Sequence, residues 1–434
     1  MQKLSDRQLQ SSRQANGRDW IMIGLFGLGY VLSGVDRQIL AFVAVDLKRD
    51  LALSNFQIGL VQGLGFTLFY AAAGLPLGWL IDRGPRVRII AVAMALWSGM
   101  TLICGSAQGF AALAAGRVGV GVGEAALTPG VYSIIGDRFA GRQVGLASLL
   151  YSLGAPISIA AAASLSAIAL GITSADAITF GGVELFGWRL AFFLAGVPGL
   201  VLAAALIGFR EPARTNGPVN VQPIKGFARY LGQHWRLHGI FITGATAVVM
   251  LQYDAAAWAP TVLREVYGWA PGNIASVLGA IGLVGGIAGC LLGGGLASWG
   301  LSERRLPKLL TAMALATVGL ALTGVLLSTS SNIRVAVAAF ILIGSTAPMM
   351  LMLIPTVLQS VTPPHFRGRM TAFQLFANVG IGAGLGPTIA GAISTAVGPS
   401  HNIQFAVGCV ATVSGAIGAV AFYFCIRSFK NHGQ

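Results

Sequence analysis

Apolar stretches of about 20 residues recur along the whole chain, and no other feature limits its fold as much. A run of that length crosses a hydrocarbon core of about 30 Å only as a helix, because each backbone N–H and C=O must then be satisfied inside the segment. Twelve such runs are legible: Trp20 to Val45, Phe56 to Ile81, Val87 to Gln108, Ala111 to Ile135, Val144 to Leu170, Trp188 to Phe209, His238 to Val262, Ile274 to Ala297, Leu306 to Leu327, Ile333 to Val361, Met370 to Val397 and Ile403 to Arg427. Charged residues make up only 10% of the chain and mean hydropathy is +0.76, whereas soluble domains carry about a quarter charged residues. The 60 glycines fit membrane helices, where small residues form the interfaces. The expected fold is an all-α membrane protein of twelve transmembrane helices.

The net charge of +14 does not point to nucleic acid, because the cations are spread between the apolar runs instead of forming one patch. They collect in the N-terminal tail and in every second loop, among them Lys3, Arg7, Arg13, Arg83, Arg86, Arg88, Arg142, Arg210, Arg229, Arg304 and Arg367. The intervening loops and helix ends hold only Lys48, Arg49, Arg189, Arg264 and Arg334. The positive-inside rule therefore puts both termini in the cytoplasm. The polar stretch Arg210 to Arg236, with Pro212, Pro218 and Pro223, divides the spans six and six. The expected organisation is a cytoplasmic tail (1–19), a six-helix half (20–209), a linker (210–236), a second six-helix half (237–427) and a short cytoplasmic tail (428–434). The polar start precedes a full-length span, so the first helix is expected to be retained.

Few charges fall inside the apolar runs, and an ionisable group there is a functional candidate. Helix four holds Arg117 and Glu124 in RVGVGVGEAA; seven residues apart, they share one face about 10.5 Å apart along the axis. Gly119, Gly121 and Gly123 between them allow close backbone approach. No strand precedes this run, so its glycines are not a dinucleotide fingerprint. Helix one holds Asp36-Arg37; adjacent helical residues point about 100° apart, so the two are expected to face different neighbours. Helix seven holds Asp254. Polar groups at membrane depth need partners, which makes Gln62, Tyr70, Tyr151, Gln252, Tyr253, Asp254 and Asn378 candidates for lining a substrate cavity. Gly154-Ala155-Pro156 predicts a kink in helix five, and Gly285, Gly289 and Gly293 predict a packing face on helix eight.

Cys104, Cys290, Cys409 and Cys425 stand apart, without metal or disulfide spacing. No metal, no cofactor and no catalytic residue is expected. An intramembrane enzyme would need paired aspartates at one depth, H-E-x-x-H or a Ser-His arrangement. The chain's His234, His238, His365, His401 and His432 all fall in loops or at helix ends. A lipid-binding receptor that transports nothing is the other rival reading, separated from a transporter by flux across a vesicle.

The loop after helix two reads Gly78-Trp79-Leu80-Ile81-Asp82-Arg83-Gly84-Pro85-Arg86-Val87-Arg88. It resembles the G-x-L-x-D-R-x-x-R-x-R loop of the major facilitator superfamily, the twelve-helix secondary transporters built from two six-helix halves. A carboxylate there can cap a neighbouring helix N-terminus, while arginines hold the loop at an anionic leaflet. A weak internal repeat pairs this stretch with Gly294-Gly295-Leu296-Ala297-Ser298, Asp36 with Asp254, and Gly141-Arg142 with Phe366-Arg367-Gly368-Arg369. Within the superfamily the chain resembles the spinster-like transporters, through Asp36-Arg37, the loop from Asp82 to Arg88, R-x-x-x-G-x-G-E-A as Arg117 to Ala125, Asp137-Arg138 and Ala257-Trp258-Ala259-Pro260. Ser298 departs from the Asp often found in the second basic loop.

The resemblance implies proton-driven transport by alternating access, with Asp36 and Glu124 as proton carriers and Arg37 and Arg117 as their partners. Gly78, Asp82, Arg83, Arg86 and Arg88 would form a gating loop. It implies a small organic or amphipathic, lipid-like substrate, since eukaryotic relatives are associated with lysolipids and sphingosine phosphate. The remaining partners would be protons and membrane lipids, with no nucleic acid, in a monomer of the bacterial inner membrane. Helix arithmetic adds a geometric expectation. Asp36 lies about 24 Å up helix one, while Arg117 lies about 9 Å and Glu124 about 20 Å down helix four. Arg117 should then approach Asp36, with Glu124 deeper and open to the cytoplasmic side.

Overall fold

In a computed structural model the described residues are 16–172, 178–180, 183–212, 214, 224–300, 305–398 and 402–432. Lys3, Arg7, Arg13, Pro218, Pro223, Arg304 and His401 lie outside them. The described residues contain twelve helices long and apolar enough to cross a membrane. In order these are helix one (Gly17–Asp50), two (Asn55–Arg83), three (Arg86–Gly105), four (Phe110–Arg138), five (Arg142–Ile172), six (Gly187–Ile207), seven (Trp235–Glu265), eight (Pro271–Gly300), nine (Leu306–Thr329), ten (Ile333–Ser360), eleven (Pro364–Val397) and twelve (Ile403–Ser428). Between helices five and six, Ile178–Phe180 pairs antiparallel with Val183–Leu185, Ile178 opposite Leu185.

Several spans are broken where the sequence weakens the helical ladder. Helix two changes course at Gly63 (φ −95°, ψ −105°), helix four at Ala125 and Ala126, and helix five at Leu153, just before Gly154-Ala155-Pro156. The missing N–H of Pro156 removes a ladder bond to the preceding turn, which places the break there. Helices eight and eleven each contain a π-turn, Ile281–Gly285 and Ala377–Ala383. Such turns recur at functional sites, and Asn378 lies in the second.

The linker holds a helix that its polar composition hides, Ile224–Gln233. Phe227, Tyr230 and Leu231 follow the i, i+3, i+4 spacing of one helix face and pack against the core that contains Phe241, Met313 and Leu353, while Arg229 is exposed. The Tyr230 hydroxyl lies 2.8 Å from His238 Nε2.

By contacts the chain forms two compact units, Met1–Ile39 with Phe69–Asn220, and Leu40–Leu68 with Val221–Gln434. In the second unit the glycine face of helix eight meets helix ten. A Cβ at Gly289 would lie 2.2 Å from Ser345 O, and one at Gly293 2.7 Å from Met349 O.

Candidate functional site in the first unit

Helix four is aimed by its small residues. Gly116, Gly119 and Gly123 form one stripe against helix three, where a Cβ would come within 2.5 Å of Cys104 Sγ, 2.4 Å of Met100 and 2.8 Å of Trp97. Only glycine lets the two backbones approach that closely. The face one residue on, carrying Arg117 and Glu124, is thereby turned about 100° away and meets helix one. Both side chains are buried at 1% exposure, as is Asp36.

Hydrogen bonds through these side chains join helices one and four. Arg117 Nη1 donates to the backbone carbonyl of Asp36 at 2.8 Å. Glu124 Oε2 accepts from Arg37 Nε at 2.6 Å and from Ser33 Oγ at 2.8 Å. Glu124, two turns beyond Arg117 on helix four, thus meets helix one at Ser33, about one turn before Asp36, and is also reached by the long Arg37 side chain. Asp36 is surrounded by Thr101, Arg117, Arg37 and Glu124, and its Oδ1 accepts no hydrogen bond from the described residues.

Arg117 approaches Asp36 as the helix arithmetic expects, donating to its backbone carbonyl. Two other details differ from the sequence expectation. Asp36 and Arg37 both engage helix four, at different turns, because the long arginine side chain spans what the 100° offset separates. Glu124 is enclosed between Ser33 and Arg37 instead of open to one side.

Arg37 also faces an aromatic wall. Its guanidinium carbon lies 5.0 Å from the centroid of Tyr70, within cation–π range. Tyr30 stacks on Tyr151 with centroids 4.7 Å apart, and Tyr132 meets Tyr151 edge-on at 5.6 Å. The Tyr151 and Thr128 hydroxyls lie 2.9 Å apart. Helix five comes this near because Gly154 sits 3.1 Å from Gly27 O, measured from where its Cβ would be. Tyr30, Ser33, Thr101, Thr128 and Tyr132 were not among the sequence candidates. Tyr30, Ser33 and Arg37 recur at i, i+3 and i+7, the one available signal.

The remaining cavity candidates lie in the second unit. Asp254 is fully buried with neither carboxylate oxygen hydrogen-bonded to described residues, and its Cβ lies 3.2 Å from the position a Cβ on Gly386 would take. Asn378 Oδ1 accepts from Thr246 Oγ1 at 3.3 Å. The Gln62 amide and Gln252 Oε1 are unbonded within the described residues, and Tyr253 is half-buried with a contact of its own.

The basic loop is organised by Arg86, which is wholly buried. It contacts Asp137 Oδ2 at 2.5 Å, Glu211 Oε1 at 2.9 Å, Ser133 Oγ at 3.1 Å and Pro212 O at 2.9 Å. Asp82 does not cap the next helix: Glu211 Oε2 accepts from Val87 N at 2.8 Å and performs that role. Glu211 sits just beyond helix six, too far along the chain for local spacing to reveal it. Asp82 is exposed and offers its backbone carbonyl to Arg214. Arg83 lies over Trp79, Arg88 is exposed, and a Cβ at Gly78 would touch nothing. Asp82→Asn is accordingly expected to leave the melting temperature unchanged while slowing turnover about fivefold or more at unchanged substrate affinity. Altered affinity with normal turnover, measured in proteoliposomes, would contradict a switching role.

The Major Facilitator Superfamily family model matches residues 26–387, most of the twelve-helix chain. The protein belongs to that superfamily. It is 26% identical over 429 residues to an MFS-type efflux pump of Mycolicibacterium smegmatis, covering 97% of this chain and 95% of that protein. It is also 26% identical over 397 residues to Protein spinster of Drosophila melanogaster, covering 87% of this chain and 62% of that protein. Among solved structures it is similar to a bacterial homologue of the human lysosomal transporter Spinster in an inward-facing, unoccupied conformation. The TM-score is 0.80 at 23% identity, covering 96% of this chain and 98% of that one. This superfamily member is a multi-pass membrane transporter of small molecules that works by alternating access, and it is not an enzyme.

Proposed function

We propose that this transporter couples the movement of a small organic or amphipathic, lipid-like solute to protons, with Asp36 and Glu124 as proton carriers and Arg37 and Arg117 as their partners. The observation that carries the reading is the buried Glu124 held by Arg37 and Ser33, with Asp36 and Arg117 one to two turns away on the same pair of helices. A carboxylate and a guanidinium buried together depend on each other: either alone is an uncompensated buried charge. A proton on Glu124 removes the charge that holds Arg37, and loss of that proton restores it. Arg37 is then an element with two arrangements, which is what turns protonation into a change of shape.

The solute would lie against Tyr30, Tyr70 and Tyr151, whose rings suit the apolar part of an amphipathic molecule. In the second unit Gln62, Gln252, Tyr253, Asp254 and Asn378 remain the candidates for polar contact with a solute. The moving bodies would be the six-helix halves 20–209 and 237–427, joined by the linker 210–236. The basic loops and both termini would face the cytoplasm of a bacterial inner membrane, and the protein would act as a monomer.

The test is flux. Purified protein in liposomes carrying an internal pH-sensitive dye is challenged with a lysophospholipid and with a panel of small organic acids and cations. At least one solute is expected to produce proton movement and to be accumulated by an imposed pH gradient, and a protonophore should abolish both. Solute movement indifferent to the gradient and to the protonophore would refute proton coupling.

A further inference from the structure

One end of the second unit gathers cations that no carboxylate among the described residues answers. A Cβ on Gly415 would lie 2.6 Å from Ala321 N, and one on Gly418 3.0 Å from Thr317 Cγ2, so helices nine and twelve run antiparallel in close contact. Nine residues back from Thr317 is Lys308, and nine on from Gly418 is Arg427, which brings the start of helix nine level with the end of helix twelve. Leu309 and Met313 accordingly share a buried cluster with Phe422 and Cys425. The end of helix eight joins them, since a Cβ on Gly300 would lie 2.8 Å from Leu309 Cδ2. These three helix ends carry Trp299, Arg305, Lys308, Tyr423 and Arg427, all exposed.

The guanidinium carbon of Arg305 lies 5.5 Å from the Trp299 ring centroid, and that of Arg427 4.9 Å from the Tyr423 centroid. A guanidinium over a ring is engaged through its flat face, while its N–H groups point outward in its own plane, in the fork that matches a phosphate. No carboxylate among the described residues pairs with Arg305, Lys308 or Arg427. The ion pairs of the second unit join Lys48 to Glu265 and Arg264 to Asp46. Helix seven meets Phe422 at Gly244, and its rise puts Glu265 about 30 Å beyond that point. Between Gly300 and Lys308 the sequence sets Arg304, Arg305 and Lys308 against Glu303 alone, and Lys430 follows Arg427. The positive-inside rule accounts for cations at this end. It does not account for two of them held over exposed rings without an acceptor among the described residues.

We propose that Trp299, Arg305, Lys308, Tyr423 and Arg427 form a binding site for the phosphate diester of an anionic membrane phospholipid, held as a fixed partner and not as the carried solute. The phosphate takes the N–H forks of Arg305 and Arg427 and the ammonium of Lys308. Trp299 and Tyr423 sit at headgroup level, where rings with an apolar body and a polar tip belong. A lipid fits better than a soluble phosphate, because the same helices expose Leu315, Leu322 and Val420 farther along. That apolar surface suits the acyl chains of the bound molecule and offers a small anion nothing. The phosphate also offsets the mutual repulsion of cations gathered where helices eight, nine and twelve end, so the lipid stabilises the fold it binds. The site stands whether or not transport is coupled to protons.

The test titrates the full-length protein in a mild non-ionic detergent with phosphatidylglycerol, phosphatidylcholine or glycerol phosphate, and native mass spectrometry reads the bound fraction. Phosphatidylglycerol is expected to bind about tenfold tighter than phosphatidylcholine, equivalent to about 1.4 kcal/mol, and glycerol phosphate should not displace it. Arg305→Gln and Arg427→Gln should each weaken phosphatidylglycerol about tenfold, as removal of a charged hydrogen-bond donor does, and leave phosphatidylcholine unaffected. Tyr423→Leu should weaken it about threefold, the scale of an exposed cation–π contact. Arg229→Gln removes an exposed cation elsewhere on the same unit and should leave the affinity unchanged, which separates a built site from diffuse surface charge. Melting temperatures in phosphatidylcholine check that each variant is folded. Should Arg427→Gln melt early, Arg427→Lys replaces it, keeping the charge and losing the fork, and should still weaken phosphatidylglycerol. Equal affinity for the two lipids, displacement by glycerol phosphate, unchanged affinity in the Arg305 and Arg427 variants, or an equal loss in Arg229→Gln would overturn the site.

Discussion

Glu124→Gln is expected to lower pH-gradient-driven transport at least about a hundredfold, or about 2.7 kcal/mol, while solute exchange without a gradient stays measurable. The substitution keeps the shape of the side chain and its capacity to accept from Ser33 Oγ, now 2.8 Å away, but it removes the charge that answers Arg37 at 2.6 Å. Hydrogen bonds to a charged group contribute about 1.5–3 kcal/mol, so Arg37 is released much as it would be by a proton on the native acid. The difference is that the amide has no proton to give up. Ser33→Ala should have a far smaller effect, because it removes a neutral donor and leaves the ion pair in place. Dye-loaded proteoliposomes measure both quantities. Gradient-driven transport at the normal rate in Glu124→Gln would dismiss the residue as a coupling site.

Arg86→Met is expected to destabilise the protein by about 3 kcal/mol or more, the range seen when one partner of a buried ion pair is removed. Arg86 is fully buried, Asp137 retains 7% side-chain exposure, and Glu211 is bound to both Arg86 Nε and Val87 N. Without the guanidinium, Asp137 becomes a buried carboxylate that has lost its ion pair with Arg86, and the Pro212 and Ser133 carbonyls each lose a donor. Thermal unfolding in detergent should show a melting temperature lower by at least about 5 °C. Adding Asp137→Leu should recover much of the loss, because an apolar pair can replace a buried ion pair at little cost. Equal melting temperatures for Arg86→Met and the parent protein would mean that the cluster is a surface network without structural weight.

The two substitutions probe features that differ in how visible they are in the chain. Arg117 and Glu124 stand out in an apolar run, and their seven-residue spacing puts them on one face before any neighbour is known. The stripe of Gly116, Gly119 and Gly123 is equally visible, but that it faces helix three, and so turns Arg117 toward helix one, is not. Arg86 is legible as one of several loop arginines. Its burial is not, since the burial comes from Glu211 and Pro212, which lie more than a hundred residues later. The amphipathic helix Ile224–Gln233 was hidden by composition although its apolar spacing was present.

The sequence by itself determined the number and order of the spans, which of their faces carry charge, and which loops are basic. Each of these follows from a local rule, hydrocarbon thickness or 3.6-residue periodicity, that a single helix obeys alone. Tertiary structure decided the partners. Arg37 took Glu124, Arg117 took a backbone carbonyl, Glu211 took the capping role expected of Asp82, and the Leu40–Leu68 hairpin joined helices seven and eleven. The rotation of one helix about its axis relative to another is set by how close their backbones can come, and that distance depends on glycines and side chains of both helices at once.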